Sequence, residues 1–486
     1  MWPSIRARGV QLAAASAAAG SLLTGCGGGG AAVWTLPNGD LAGTRAAAGS
    51  RIDAGNVGKL RVRWRFRFTA KPGFSGIFAS NPVVDDDTVY VQDLRSNVFA
   101  LDRATGALRW TRRYDARNDG PNGLAVADGR VYGATDSDAF ALTAETGREL
   151  WRRHLTSVQE QFVDVAPVAW KGLVFLSTVG YPPSGRGAIY GLDAATGAVR
   201  WKFVTIERPW RRPRQAGGGG LWYPVSVDSA GRLYAGNSNP APWGGTPELP
   251  NGASFPGAAL YTDSLLVLDA RSGRLLWYDQ VTPHDVRDHD FQATPMLVGS
   301  MVIGAGKGGR VVAWDRDGRR RLWTATVGLH RKDRGPLPRN KVSVCPGLLG
   351  GVETPMAVAN GRVFVPAVDL CVQESAITTP RLDSVDPARG TGLLASLDVS
   401  TGKRLWTRRF PSPDFGCATV ANDVVFTSTF DGTLYGLAAD DGRVLWHTKL
   451  RAGVNACPAV AGKQLFVGAG IPREGSVEEL VALEPV

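Results

Sequence analysis

The amino-acid sequence predicts an all-β chain that folds as an eight-bladed β-propeller. A short pattern recurs along the 486 residues: an apolar pair often followed by Asp, a turn that ends in Thr-Gly or a similar pair, and then a Trp. The turn suits a β-hairpin, because Gly adopts positive φ angles without strain. One small antiparallel sheet cannot bury both of its faces, whereas sheets stacked radially around an axis can.

Eight tryptophans mark the repeat units, and we expect them to pack between neighbouring blades. Most successive tryptophans are 40 to 50 residues apart, but two intervals of 76 and 83 residues indicate insertions. Insertions in repeat proteins usually lie on one face and often build the binding surface. The tryptophans are Trp64, Trp110, Trp151, Trp201, Trp277, Trp323, Trp406 and Trp446.

The two ends of the chain are predicted to complete the last blade together. The C-terminal ELVALEPV matches the strand that precedes the repeated turn, but no turn and no Trp follow it. The N-terminal KLRVRWRF contains the Trp strand, but no turn precedes it. Pairing of these two segments would close the ring and remove free sheet edges.

The N-terminus has the features of an export signal. Arg6 and Arg8 precede an alanine-rich apolar stretch over residues 10–23, and Leu-Thr-Gly-Cys then ends at Cys26. A basic start, a short apolar segment and small residues before a cleavage site are typical of a secretory signal. The ending resembles a bacterial lipoprotein signal, in which the Cys becomes the lipidated first residue. The alternative is an ordinary signal peptide with a chance Cys.

These features predict where the protein resides and how the chain is divided. We expect an exported protein that a lipid anchors to the cell envelope, on the periplasmic or outer-surface side, and that contacts the membrane through this anchor. No later segment is apolar for long enough to cross a membrane. The expected parts are a lipoprotein signal peptide (1–25), the lipidated Cys26 with a Gly-rich tether (26–32) and the propeller (33–486).

The basic composition does not point to a nucleic acid partner. The formal net charge is +11, and the densest basic clusters are residues 210–214 and 319–321. The arginines are scattered along predicted strands and turns, and no nucleic-acid-binding motif accompanies them. We therefore interpret the clusters as solvated loops and expect no nucleic acid partner.

Four cysteines follow Cys26 in the sequence. They are Cys345, Cys371, Cys417 and Cys457. An even number in an oxidising compartment suggests two disulfides, and the sequence allows three pairings.

A more specific resemblance runs from about residue 33 to the C-terminus. The chain resembles the quinoprotein alcohol dehydrogenases, which bind pyrroloquinoline quinone (PQQ) and calcium. Four segments carry this resemblance: VWTLPNGDLAGTRAAAGSRIDAGNVGKLRVRW, GGGGLWYPVSVDSAGRLYAGNSNPAPW, TPHDVRDHDFQATP and GAGKGGRVVAWDR. The CPG…GG stretch with a later Cys resembles the family's late disulfide, which favours Cys345–Cys371. We pair Cys417 with Cys457, with two buried free thiols as the alternative.

The resemblance implies a role for each of four residues. Trp222 would lie flat under the quinone, and an aromatic floor suits a planar ring. Asn239 and Asp288 would be calcium ligands, and the ion would polarise the quinone carbonyl. Asp288 would also be the catalytic base that takes the alcohol proton. Lys307 would hydrogen-bond the quinone and stabilise the charge of its reduced form.

The sequence also departs from the family's pattern. A Glu calcium ligand is missing, and Pro182 stands near its expected position. Arg287 replaces the Trp that precedes the catalytic Asp, and GGVETPM lacks the Trp of the family's GG-x-x-W. The adjacent Cys pair of the family is absent, and no CxxCH motif for an attached haem occurs.

Three functional hypotheses follow from these patterns. The first is a PQQ-dependent, or degenerate PQQ-type, dehydrogenase that oxidises an alcohol or polyol, either small or polymeric, and passes electrons to a separate acceptor. The second is a non-catalytic envelope scaffold, similar to the propeller lipoprotein of outer-membrane assembly. The third is that a ligand other than PQQ occupies the pocket. For one segment a metal site is a rival interpretation, because His and Asp at close spacing can bind zinc or another metal. Its residues would be His284, Asp285, Asp288, His289 and Asp290.

Overall fold

Eight sheets arranged as a β-propeller make up the computed structural model, which confirms the predicted all-β fold. The structure describes residues 32–47, 49–68, 80–118, 120–181, 185–206, 217–252, 259–380, 382–471 and 475–486. These residues contain no α-helix, and none of their helical turns is long and apolar enough to cross a membrane. The described turns are four 3-10 helices: Val57–Lys59, Pro250–Gly252, Leu382–Ser384 and Pro387–Arg389.

In blades 1 to 7 the four strands are paired antiparallel in chain order, and the first strand is buried whereas the fourth is the most exposed. The chain therefore runs from the axis outward in these seven blades. The strands of blades 1 to 4 are Val83–Asp85, Thr88–Gln92, Val98–Asp102 and Leu108–Arg112; Ala125–Ala127, Arg130–Ala134, Asp138–Thr143 and Glu149–His154; Val168–Trp170, Leu173–Gly180, Ala188–Asp193 and Val199–Val204; and Ser226–Val227, Arg232–Gly236, Ser264–Asp269 and Leu275–Gln280.

Blades 5 to 8 repeat this arrangement. Their strands are Met296–Val298, Met301–Ala305, Arg310–Asp315 and Arg320–Thr326; Ala357–Ala359, Arg362–Asp369, Thr391–Asp398 and Arg404–Phe410; Thr419–Ala421, Val424–Ser428, Thr433–Ala438 and Val444–Lys449; and Ala459–Ala461, Gln464–Ala469, Glu479–Pro485 and Leu60–Arg67. Short strands also pair between and beside the blades: Ser80–Asn81 with Asn122–Gly123, Gln161–Phe162 with Leu173–Gly180, Gly217–Gly218 with Pro240–Ala241, and Val342–Val344 with Val372–Glu374.

Blade 8 is closed by both ends of the chain, as the sequence predicts. Its outermost strand, Leu60–Arg67, pairs antiparallel with the C-terminal strand Glu479–Pro485. Trp64 lies opposite Ala482 in this register. The ring therefore has no unpaired edge at the junction of the two ends.

The repeated Trp and Gly form one inter-blade contact. A Cβ on Gly147 of blade 2 would lie 2.4 Å from the ring of Trp110 in blade 1, and Gly147 has a φ of +68°. Glycine is therefore required both for the backbone conformation and for the close approach of the ring. The same contact joins Gly106 to Trp64, Gly197 to Trp151, Gly273 to Trp201, Gly402 to Trp323 and Gly442 to Trp406.

An N-terminal segment, described over residues 34–47 and 49–51, runs along the inner strands of the ring. Its backbone forms hydrogen bonds with the inner strand of each blade, or with the turn that follows this strand, except in blade 3. The first of these bonds is to Val84 in blade 1 and the last is to Gly462 in blade 8. Arg45 is completely buried, and its guanidinium donates to the carbonyl oxygens of Pro37, Ala418 and Pro458. The segment therefore links seven of the eight blades through hydrogen bonds, and not through apolar packing alone.

Both favoured disulfides are present in the structure. Cys345 is bonded to Cys371 across 26 residues, within the insertion around blade 6. Cys417 is bonded to Cys457 across 40 residues, between the connections that lead into blades 7 and 8. The second bond therefore crosslinks neighbouring blades close to the axis.

Candidate active site

A cavity of about 400 Å³ lies where the connections between successive blades converge. Its wall takes residues from the connections that precede blades 2, 4, 5, 6, 7 and 8, which meet only near the axis. The volume lies within the range of small-molecule sites. The four residues selected from the sequence, Trp222, Asn239, Asp288 and Lys307, all line this cavity.

Lys307 is the centre of a buried polar cluster. Its Nζ lies 2.8 Å from Oδ2 of Asp288 and 2.6 Å from Oδ2 of Asp290. Asn239 closes the cluster from the other side, because its Nδ2 donates to Oδ1 of Asp288 at 2.5 Å and its backbone N–H donates to Oδ1 of Asp290 at 2.7 Å. Both carboxylates are thus held by charge-assisted hydrogen bonds, which are the stronger kind.

The backbone brings these groups together. A Cβ on Gly306 would lie 1.9 Å from the carbonyl oxygen of Asp290, so glycine allows the two segments to touch. The N–H of Lys307 donates to the same carbonyl at 3.0 Å. Asp288 has a φ of +62°, a conformation that non-glycine residues seldom adopt and that is often found in functional loops.

The charges of the cluster depend on each other. Burial alone would lower the pKa of Lys307, but the carboxylates of Asp288 and Asp290 outweigh it and hold this pKa well above its usual value. Burial raises the pKa of Asp288, although the ammonium of Lys307 opposes the rise. Lys307 is therefore cationic, and Asp288 is a stronger base than an exposed carboxylate.

Glu353 is another buried carboxyl group of the cavity wall. Gln292 holds it, since Nε2 donates both to the Glu353 carbonyl at 2.8 Å and to Oε2 at 3.0 Å. Burial raises the pKa of Glu353 to about 7, in spite of the nearby charge of Lys307. Its Oε1 is buried and has no hydrogen-bond partner among the described residues.

Aromatic and apolar side chains form the rest of the wall. The Nε1 atoms of Trp222 and Trp243 are buried and find no acceptor in the described part of the chain. Leu382 is 62% exposed, so the cavity reaches solvent on that side. Other apolar lining residues include Leu348, Leu349, Val385, Phe415 and Phe430.

The wall suits a flat, polar organic ligand such as a quinone. Trp222 offers an aromatic face, Lys307 a cation, and the unpartnered Nε1 atoms and Glu353 Oε1 offer hydrogen bonds to a ligand. Among the described lining residues Lys307 is the single cation, so it is the one side chain of the lining that offers a positive charge to the carboxylates of PQQ.

The donor set suits calcium less well. Ca²⁺ takes six to eight oxygen ligands, whereas Asn239, Asp288 and Asp290 are already bonded to one another and to Lys307. Within the described ranges, no group of three or more His, Cys, Asp and Glu residues has the arrangement of a metal site.

The residues of the alternative metal site are divided between two cavities. Asp288 and Asp290 face the axial cavity, whereas His284, Asp285 and His289 line a neighbouring one. Asp285 accepts hydrogen bonds from the backbone N–H groups of Arg287 and His289. The close spacing of these residues in the sequence therefore reflects the folding of one loop rather than a shared ligand set.

Arg287, which stands where the resembling family has Trp, also lies away from the axial cavity. Its Nε donates to the carbonyl of Lys332 at 2.8 Å and its Nη2 to that of Gly335 at 2.7 Å. Burial lowers its pKa. Arg287 therefore anchors the loop around residues 332–335 by capping backbone carbonyls.

Some sequence expectations fall outside the described residues. Cys26, Pro182 and the basic cluster at 210–214 belong to this group. Glu353, Gln292 and Trp243 line or support the cavity but were not selected from the sequence. Trp243 ends the NPAPW stretch and Glu353 lies in GGVETPM, so the same motifs would have located both residues.

Comparison with known proteins agrees with this architecture. The quinohemoprotein alcohol dehydrogenase of Comamonas testosteroni is 27% identical over 89% of this chain and 71% of that protein. The lanthanide-dependent methanol dehydrogenase of Methylacidiphilum fumariolicum is 24% identical over 87% of this chain and 82% of that protein.

Two solved structures share the fold to different degrees. Quinohemoprotein alcohol dehydrogenase ADHIIG from Pseudomonas putida superposes with a TM-score of 0.81 at 21% identity, over 93% of this chain and 80% of that chain. BamB from Moraxella catarrhalis superposes with a TM-score of 0.56 at 14% identity, over 87% of this chain and 97% of that chain.

A family model covers nearly the whole propeller. It is described as "Outer membrane protein assembly factor BamB", and it matches residues 28–241, 262–383 and 389–484. These matches include all eight repeat tryptophans. The chain therefore belongs to this family of PQQ-repeat propellers, within which its relatives include quinohemoprotein alcohol dehydrogenases.

Proposed function

We propose that this protein is a PQQ-dependent dehydrogenase that oxidises an alcohol or polyol. The observation that supports it is the convergence of Trp222, Asn239, Asp288 and Lys307 on one axial cavity, although they are up to 85 positions apart in the sequence. The similarity to alcohol and methanol dehydrogenases adds to this support.

Each residue has a task in the proposed reaction. When bound, PQQ supplies the two-electron acceptor that no side chain can provide. Trp222 supports its ring, and Lys307 offers a positive charge and an N–H donor. Asp288 accepts the hydroxyl proton of the alcohol, because burial makes this carboxylate a better base.

Neighbouring groups fix the catalytic base. Asn239 and Lys307 donate to different oxygens of Asp288, so the carboxylate is oriented before the substrate arrives. The leucine, valine and phenylalanine side chains of the wall limit the access of water to the reacting atoms.

If Ca²⁺ binds, Asn239 and Asp288 are its proposed ligands. Lys307 supplies a positive charge to both carboxylates, and no proton transfer proposed above depends on a metal ion. The electron acceptor is proposed to be a separate molecule, because the sequence has no CxxCH motif for haem attachment.

The test is PQQ binding to the whole chain purified in detergent. Calorimetric titration with PQQ, with and without Ca²⁺, should give saturable binding that Trp222→Phe keeps and Trp222→Ala weakens at least tenfold. Asp288→Asn should bind PQQ but reduce no dye with a panel of alcohols, whereas Asp333→Asn, in the neighbouring cavity, should keep both properties. Absence of binding by the wild-type protein at every calcium concentration would refute the enzyme proposal.

The second candidate is a non-catalytic scaffold in the cell envelope. The description of the matching family model favours it. In that case PQQ would not bind, and crosslinking in intact cells should capture envelope proteins on the propeller.

We also propose export and lipid anchoring at Cys26. The signal-like N-terminus is the support for this location. Cys26→Ser should move the protein from the membrane fraction to the soluble fraction, and mass spectrometry of the wild-type N-terminal peptide should show a lipid. An unmodified Cys26 in the mature protein would contradict the anchor.

A further inference from the structure

Glu353 is a carboxyl group of the axial cavity that has no task in the reaction described above. It is 7% exposed and lines the same wall as Asp288 and Lys307. Gln292 binds Oε2, but Oε1 has no partner among the residues that the structure describes. A buried oxygen without a hydrogen bond is costly, so Oε1 is expected to bond to whatever occupies the cavity.

The surroundings of Glu353 differ from those of Asp288. Asp288 is in direct contact with the ammonium of Lys307, which stabilises its charged form. Glu353 faces the more distant Lys307, the carboxylate of Asp290 and the phenol of Tyr223. Its pKa of about 7 means that both protonation states are populated near neutral pH. Two carboxyl groups in such different environments can act as base and acid in one site.

We propose that Glu353 is a second catalytic acid of this site, which hydrogen-bonds the quinone through Oε1 and gives it a proton as it is reduced. This inference rests on the proposed function. It assigns to Glu353 the donor role and to Asp288 the acceptor role, because the donors Asn239 and Lys307 favour the ionised form of Asp288, and each of its oxygens keeps a second lone pair that can accept a proton.

The two proton transfers balance the oxidation. With PQQ bound, the O–H bond of the alcohol would break and its proton would go to Asp288, while the C–H bond would break and its hydrogen and electron pair would go to the cofactor. The alcohol would lose two electrons to the cofactor and become a carbonyl compound. The O–H bond of Glu353 would then break and give its proton to the reduced cofactor. Transfer of the Asp288 proton through solvent restores Glu353.

The test compares the pH dependence of three full-length proteins. Glu353→Gln keeps the shape of the side chain and an N–H donor but has no proton to give. Glu478→Gln is the matched control, because burial also raises the pKa of Glu478 to about 7, away from the cavity. The readouts are the Kd for PQQ by calorimetry from pH 5.5 to 9 and the rate of single-turnover reduction of bound PQQ by an alcohol, followed by absorbance.

The wild-type protein and Glu478→Gln should bind PQQ more weakly above about pH 7, with the Kd rising up to tenfold per pH unit, and their reduction rates should fall over the same range. In Glu353→Gln the Kd should not change across this range. Its reduction rate should be lowered by roughly 10²-fold to 10⁴-fold, without the decline at high pH.

Gln292→Leu provides a second variant that keeps the carboxyl group. Gln292 donates to Oε2 and favours the charged form, so its removal should move both pH transitions to higher pH. If Glu353→Gln retains the wild-type pH transitions while PQQ still binds and is reduced, the assignment to Glu353 is wrong and the proposed function stands. If the wild-type protein binds no PQQ, both proposals fail.

Discussion

Replacement of Lys307 by Met should expose the energetic cost of two buried carboxylates. The side chain of Lys307 is 10% exposed, and its Nζ is within 2.8 Å of Asp288 and 2.6 Å of Asp290. Met retains most of the apolar volume but not the charge. Removal of one partner from a buried ion pair costs about 3–5 kcal/mol, because the remaining charge is left uncompensated.

The loss should depend on pH in a defined direction. At pH 8 the carboxylates of Lys307→Met are ionised in the unfolded chain, and burial without a cation penalises them in the folded one. As the pH falls, protonation relieves the penalty, so the loss should decrease from about 3–5 kcal/mol at pH 8 to below about 2 kcal/mol at pH 5. A double variant with Asp290→Asn should recover at least about 1 kcal/mol at pH 8.

Urea denaturation followed by tryptophan fluorescence measures these differences. The protein should be unliganded, and Lys403→Met serves as the control because Lys403 is exposed on an outer turn. An equal loss of stability at both pH values, or a loss no larger than that of Lys403→Met, would contradict the charge balance assigned to the cluster.

Three further predictions concern stability. Glu353→Gln should raise the free energy of unfolding of the unliganded protein by about 3 kcal/mol at pH 8 and leave it unchanged at pH 4. The pKa of Glu353 is raised from 4.5 to about 7 in the folded protein, so the wild type loses stability as the pH rises through that interval. Urea titration at both pH values checks this. Gly147→Ala should lower the free energy of unfolding by about 2–4 kcal/mol, since the new methyl group meets the ring of Trp110. Gly129 also has a positive φ but no neighbour within 4 Å of an added Cβ, so Gly129→Ala should lower it by about 1 kcal/mol in the same assay. Equal losses would argue against the inter-blade contact. Replacement of Cys345 and Cys371 by Ser removes a crosslink that spans 26 residues and should lower the free energy of unfolding by about 3 kcal/mol. The loss should be seen as a lower melting temperature than that of the wild type. An unchanged melting temperature would show that the disulfide does not constrain the unfolded chain.

The repeat explains why the fold was predictable. Each turn and Trp is a local pattern, and its recurrence specifies radial stacking without knowledge of any long-range contact. The match between Leu60–Arg67 and Glu479–Pro485 was likewise visible as two incomplete units. The sequence did not indicate that residues 34–51 bond to the inner part of almost every blade, because that path has no periodic pattern.

The site was predictable in part. Motif similarity selected Trp222, Asn239, Asp288 and Lys307, and the structure brings them to one cavity. Motif similarity could not show that Asp285 and Asp288, three positions apart, face different cavities. The direction of a side chain in an irregular loop depends on the backbone angles of that loop. The role of Glu353 was also not visible, because its pKa is raised mainly by burial and then by the charge of Asp290, and both depend on the tertiary structure.

By itself, the sequence determined the class of fold, the number of blades, the closure of the ring and the residue types available for chemistry, because these follow from local patterns that repeat. Only the tertiary structure decided which carboxylates share one ammonium and which oxygen of Glu353 has no partner among the described residues. Such properties depend on distances of a few ångströms between segments far apart in the chain, and desolvation then sets the strength of each charge.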